Sequence, residues 1–224
     1  MVEVRRLSAL CAALVLCGCA STGTQTTSAV ASATAAAHSP DATSSATAEG
    51  PLALEGGDLA AGVVHYSDAL GVSVQPTEDE WFAVMAGDTD FELTRERIAV
   101  WFVQPASIRP DGTAASTEEA PTDPAAFADA LEGHPAVSVV GTEPFSAGAL
   151  DGLLVDFESS GMTEGSAMLV TSDGAAFGFP DGEGRVVLLT TDAGLVMISI
   201  EGGASRDAAW EIVEPLLMTL DAAP

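Results

Sequence analysis

The residues able to do chemistry are few and unevenly placed. All three cysteines, Cys11, Cys17 and Cys19, fall within the first nineteen of 224 residues. A Cys17–Cys19 pair supplies two ligands where a closed zinc site takes about four. His65 and His134 are the histidines beyond the leader and the following linker, and they lie too far apart in sequence to form a ligand motif. No G-x-S-x-G elbow, phosphate loop or dinucleotide fingerprint occurs. "DTDFE" sets Asp88, Asp90 and Glu92 at alternate positions, like the start of a calcium loop. Positions six and twelve of such a loop would be Leu93 and Ala99 instead of glycine and glutamate, so a solvated acidic loop is predicted. "PDGEG" (180–184) reads as a tight turn. Asp156 and Glu158 share one face of a candidate strand and could form a carboxylate pair of the glycosidase kind. Their expected role is its solvent face. Trp81-Phe82 and Trp101-Phe102 put adjacent aromatics on opposite faces of a strand. Either both faces are covered by helices, or one ring of a pair lines a groove.

The cysteines are explained by their flanks. "MVEVRR" is basic, and Leu7–Gly18 is an apolar run of about a dozen residues, too short for the roughly 20 of a spanning helix. This is the pattern of a secretory signal peptide over residues 1–18. Arg5-Arg6 lack the Phe-Leu expected after a twin-arginine pair, which favours the general secretory route. "LCGC" (16–19) resembles a bacterial lipobox, with aliphatic Leu16 at −3, small Gly18 at −1 and Cys19 as acceptor. Cys11 and Cys17 each follow a leucine, where a small residue is needed. The lipobox implies that Cys19 carries a diacylglyceryl group and becomes the mature N-terminus. Each buried methylene contributes about 0.8 kcal/mol, and two chains anchor stably where one does not. The mature chain then offers no free thiol.

Composition narrows the partners. There are 33 acidic residues against seven basic ones, a net charge of −26, and no lysine. Nucleic acid is excluded as a partner, because phosphate binding depends on cationic side chains releasing counterions. Hydrophobic residues make up 47%, so the chain can build a core. Residues 19–50, after Cys19, are nearly all Ala, Ser, Thr and Gly, with His38 among them. They lack the apolar surface to offset their ordering entropy and predict a flexible tether with a mean reach of about 30 Å. Residues 51–224 are expected to form one domain.

Within that domain "GVSVQP" (71–76) and "RIAVWFVQP" (97–105) read as strands closed by proline. Asp123 as N-cap, Pro124 at the first turn and Gly133 as terminator predict a helix over 124–132. Strand candidates follow at "AVSVVGTEPF", "GALDGLLVDFES", "SAMLVTS", "AAFGFP", "RVVLLTT" and "LVMISIEG". Three-residue connections at 172–174 and 192–194 predict hairpins. Ser205 predicts the start of a last helix with a stripe of Ala209, Ile212, Val213, Leu216, Leu217 and Leu220, and Pro215 should kink it or shift its start. The expected class is α+β: a mostly antiparallel sheet with a mid-chain and a C-terminal helix packed on it.

The lipobox, the tether and the acidic domain of about 170 residues together resemble small actinobacterial cell-envelope lipoproteins. Across most of residues 65–220, the order of "GVSVQPTEDEW", "DPAAFADALEGHPAVSV", "GALDGLLVDFES", "RVVLLTTDAGLVMISIEG" and "AAWEIVEPLLMTL" resembles the PsbP/Mog1-like α/β/α sandwich group. That resemblance implies a binding or assembly module rather than an enzyme, with no cofactor or metal and no assigned residue besides Cys19. The expectation is a lipid-anchored protein on the extracytoplasmic side of the cell membrane. Its partners would be the bilayer, through Cys19, and another envelope protein. The alternative is a carrier of lipid or another apolar ligand in a cavity between sheet and helix.

Overall fold

The structure, a computed structural model, describes residues 50–224 except 86, 88, 161 and 163–166. The signal, Cys19 and the tether fall outside the described residues. The centre is an eight-stranded sheet. Its strands are β1 (Gly57–Leu59), β2 (Trp81–Met85), β3 (Asp90–Arg95), β4 (Ile98–Val103), β5 (Val137–Ala147), β6 (Leu150–Ser160), β7 (Asp181–Thr191) and β8 (Gly194–Gly202). The spatial order is β5-β6-β7-β8-β4-β3-β2-β1, and every neighbouring pair is antiparallel. Strands β7 and β8 sit in the middle as near-continuous apolar runs. Val186 to Leu189 and Val196 to Ile198 are all buried, on both faces.

A sheet buried on both faces needs a layer on each. Helix α1 (Pro124–Gly133) covers one and helix α2 (Arg206–Leu217) the other. Asp123 caps α1 by accepting from the Ala125 and Ala126 N–H groups at 3.0 Å each. Phe127 and Leu131, four apart, point into the sheet and are fully buried, each worth about 2–3 kcal/mol of transfer energy. Ser205 caps α2 through the Ala208 N–H, where the sequence places the start. Pro215 does not shift that start. It lies in the last turn on the exposed side, and the intrahelical bond it omits would have gone to Glu211, itself exposed. Two four-stranded sheets complete the layers. One, of Leu52–Ala53, His65–Ser67, Val72–Val74 and Asp221–Ala222, joins the core under α2. The other, of Ser107–Ile108, Glu118–Glu119, Leu169–Val170 and Ala176–Phe177, joins the core under α1. The class is therefore α+β with an antiparallel centre, and the helices lie on opposite faces.

Several expectations change in detail. "GVSVQP" and the hairpin around 172–174 belong to the small sheets. The loop between β7 and β8 is two residues, Asp192-Ala193, because Gly194 adopts φ +122° and already pairs with Thr191. "PDGEG" is no isolated turn: Asp181–Gly184 opens β7 and pairs with Ser160 to Phe157 of β6. The outer strand β5 contains Pro144, tolerable at a sheet edge, and Val140 as an extra residue between the paired Val139 and Gly141. Both features blunt an eleven-residue edge against pairing with other chains.

Gly184 in β7 is required by a close approach. A Cβ there would collide with the outer end of the Phe157 ring of β6. Its backbone is otherwise ordinary. Gly184→Ala should therefore destabilise the fold by about 1–3 kcal/mol through displacement of Phe157, read as a lower urea midpoint at unchanged slope.

Candidate functional site

The register of the sheet lays out a grid on the face that α1 covers. One row runs Glu201 (β8), Ala99 (β4), Thr94 (β3), Phe82 (β2), Asp58 (β1). The row beside it runs Ser199, Trp101, Glu92, Val84. The cover is uneven. Helix α1 packs over β5, β6 and β7, and Phe177 from the small sheet meets Trp101 edge-on at 5.6 Å. Toward β2 the cover stops, leaving Phe82 44% and Val84 38% exposed. The other face of the same strands is closed, with Ala83, Leu93 and Val100 fully buried in the core under α2.

Two carboxylates share this partly open end. Glu92 and Glu201 stand on the two strands flanking β4, two strand spacings across and two residues along, about 12 Å apart at the backbone. On β4 between them, Ala99 stands opposite Glu201 and is too short to fill the space, and Trp101 stands opposite Glu92. Burial pushes the Glu201 carboxyl up from 4.5 to about 7, and the charge of Glu92 adds to it. Burial also raises Glu92. Among the described residues neither carboxylate is paired with a cation. Trp101, 9% exposed between Glu92 and Ser199, has an indole N–H with no hydrogen-bond partner among the described residues. Next to Glu201 a cleft of about 40 Å³ opens, lined by Phe157, Phe179, Gly184, Ser199 and Arg206 among others. Chemically, the surface presents desolvated negative charge beside apolar rings, a combination suited to holding a cation.

The residues singled out from sequence are dispersed. Cys19, His38 and Asp88 lie outside the described residues. Asp90 and Glu92 are not in an acidic loop: "DFELTR" is strand β3, and the alternation that suggested a calcium loop is the period of a strand with Phe91 and Leu93 turned to the core. Asp90 is buried. His65 lies in a small-sheet strand in the layer with α2, and burial lowers its pKa. His134 ends α1 on the opposite side of the main sheet. It is 2% exposed. Its Nδ1 accepts the Ala136 N–H at 3.2 Å, which requires that nitrogen unprotonated, and burial likewise lowers its pKa. The two imidazoles are therefore not brought together.

Asp156 is not on a solvent face. It accepts from Arg185 Nε at 2.6 Å and from the second guanidinium arm at 2.9 Å, beneath the start of α2, where Arg185 also stacks 4.9 Å over Trp210. This bidentate pair joins β6 to β7, and α2 is held to it by Arg206 reaching Asp156 at 3.6 Å and by Trp210 under the Arg185 guanidinium. Glu158 is exposed and apart from it. Trp101 and Phe102 divide between the two cores, the outcome for a sheet covered on both sides, whereas of Trp81-Phe82 only Trp81 is buried. Glu201 escaped the sequence reading. The signal was the alternation Met197, Ser199, Glu201 at the end of an apolar strand.

No family model matches the sequence, and no curated protein matches it. Among solved structures, the chain is similar to the solution structure of cyanobacterial PsbP (CyanoP) from Synechocystis sp. PCC 6803. The identity is 11% and the TM-score 0.35, over 70% of this chain and 91% of that one.

The crowding of Glu201 has a signed consequence. Its folded pKa exceeds its unfolded value, so between about pH 4.5 and 7 the folded chain binds more protons and stability falls as pH rises. The buried histidines act in the other direction, since their lowered pKa values cost stability on acidification. Glu201→Gln mimics the protonated acid and leaves the histidines unchanged. Thermal denaturation should show it more stable than wild type by about 2 kcal/mol at pH 8 and equal at pH 4. Equal stability at both values would contradict the raised pKa.

Proposed function

We propose that the chain is a lipid-anchored, extracytoplasmic binding module without catalytic activity, which contacts another envelope protein through the open end of the main sheet. In this reading Cys19 carries the acyl groups, and residues 20–50 let the domain search the space beside the membrane. The observation that carries the binding role is the strip of Phe82 and Val84 with Glu92 and Glu201, half-covered on an otherwise strongly acidic chain. Exposed apolar side chains in register on one strand, next to desolvated charge, have the make-up of an interface core with a polar rim. The cleft beside Glu201 holds about 40 Å³, room for a water but far below the several hundred Å³ of a lipid site, so it gives no support to the carrier alternative.

Two variants of the full chain test this. Cys19→Ala should move the protein from the membrane pellet to the soluble fraction, and retention in the pellet would refute the anchor. Phe82→Asp should leave anchoring intact. In a mild-detergent extract it should shift the protein from a complex to the size of the free chain on a native gel. An unchanged complex would remove the open strip from the binding role.

A further inference from the structure

The grid allows the partner to be described by its chemistry. Glu201, Glu92 and Asp58 place three carboxylates over two adjacent rows, and the rows themselves contain no cation. Arg97, in the turn between β3 and β4, is exposed and forms no ion pair with either glutamate among the described residues. Arg95 lies on the opposite face, engaged with Glu78 and Glu80 and stacked 5.9 Å over Trp81. Desolvated like charges left unpaired are costly, and the cost is relieved when an opposite charge is supplied.

Resting on the reading above, we propose that this open end of the sheet docks an extended segment of a second protein that carries a Lys or Arg side chain between apolar residues. The cation seats over Ala99, between Glu92 and Glu201, and the neighbouring apolar side chains cover Phe82 and Val84. Three features favour this occupant. Charge complementarity favours a cation from the partner, because Arg206 and Arg185 in the cleft beside Glu201 are engaged with Asp156 and Asp207 instead. The chain's own tether cannot serve, because residues 20–50 contain neither lysine nor arginine. A second copy is disfavoured by a net charge of −26 on each molecule and by the absence of lysine. The gap over Ala99 is bounded by the aromatic Trp101, whose ring face also attracts a cation. A planar guanidinium or an ammonium fits between two carboxylates that no group bridges among the described residues.

The test is photo-crosslinking in the protein's own host, with the full chain carrying p-benzoylphenylalanine in place of Val84. Crosslinked peptides are identified by mass spectrometry. The expected result is one partner segment with a Lys or Arg within two or three residues of the crosslinked position. Its yield should fall at least tenfold when Glu92→Gln and Glu201→Gln are combined, in a variant shown by thermal denaturation to be folded. A partner segment without a cation, or a yield unchanged in the double variant, overturns the cation site while leaving the binding module standing. Crosslinks to lipid alone, to a second copy of this chain, or to nothing overturn the proposal. In those cases the probe at 84 would also be silent toward any partner protein, so that outcome removes the binding reading with it.

Discussion

Everything in this structure follows from one constraint: an antiparallel sheet whose central strands are apolar on both faces must be covered twice. Strands β7 and β8 leave no side to face water. The chain meets the demand with one helix and one small sheet on each face, in three layers. The helices are positioned by ordinary local devices, an aspartate cap on α1 and a serine cap with a bidentate Arg185–Asp156 pair beneath α2. Removing the cover on either side would expose a slab of valine, leucine and isoleucine, at about 25 cal/mol per Å² of apolar area.

The site arises where the cover ends. On one face the small sheet with Val72 and Val74, together with α2, contributes to a core that includes Trp81 and Ala83 of β2. On the other, α1 and Phe177 protect β5 through β4 and go no further. Strands β2 and β3 therefore change character from one face to the other. Their covered side is Trp81, Ala83, Phe91 and Leu93, and their open side is Phe82, Val84, Glu92 and Thr94. Glu201 stands at the boundary between cover and opening. It is buried enough to lose its hydration and near enough to Glu92 to feel its charge, and among the described residues it is paired with no cation. A carboxylate held near neutrality in this way is the kind of group found where a protein binds something, though ion-pair networks also perturb acids. Here it has no such network among the described residues.

Much of the fold was legible in the sequence, and the parts that were not share a cause. The helices were readable because caps and terminators are local: Asp123, Pro124, Gly133 and Ser205 act on their own neighbours. The long strands from Val137 onward were readable from their apolar runs. The strands before them were harder. Asp90–Arg95 alternates carboxylate and apolar residues; its acidic half reads as a solvated loop, and only the sheet shows where its apolar half packs. "PDGEG" reads as a turn because it opens on proline and has two glycines in five residues, yet Gly184 is there to admit the Phe157 ring. The pairing of Glu92 with Glu201 could not be read at all, since they are 109 positions apart (201 − 92) and meet only through the β3-β4-β8 order of the sheet. Asp156 reads as solvent-facing for the same reason: its guanidinium partner comes from the next strand and its cover from a helix 50 residues later (206 − 156).

The account stands on the claim that Glu201 is a crowded, half-covered acid at the edge of an open surface. The most direct measurement is a side-chain carboxyl titration of the full chain by carbon-detected NMR. The account predicts a midpoint for Glu201 near 7, moving downward when Glu92 is replaced by glutamine. A midpoint near 4.5, indifferent to residue 92, would mean that Glu201 is freely solvated and that the two carboxylates do not form a site.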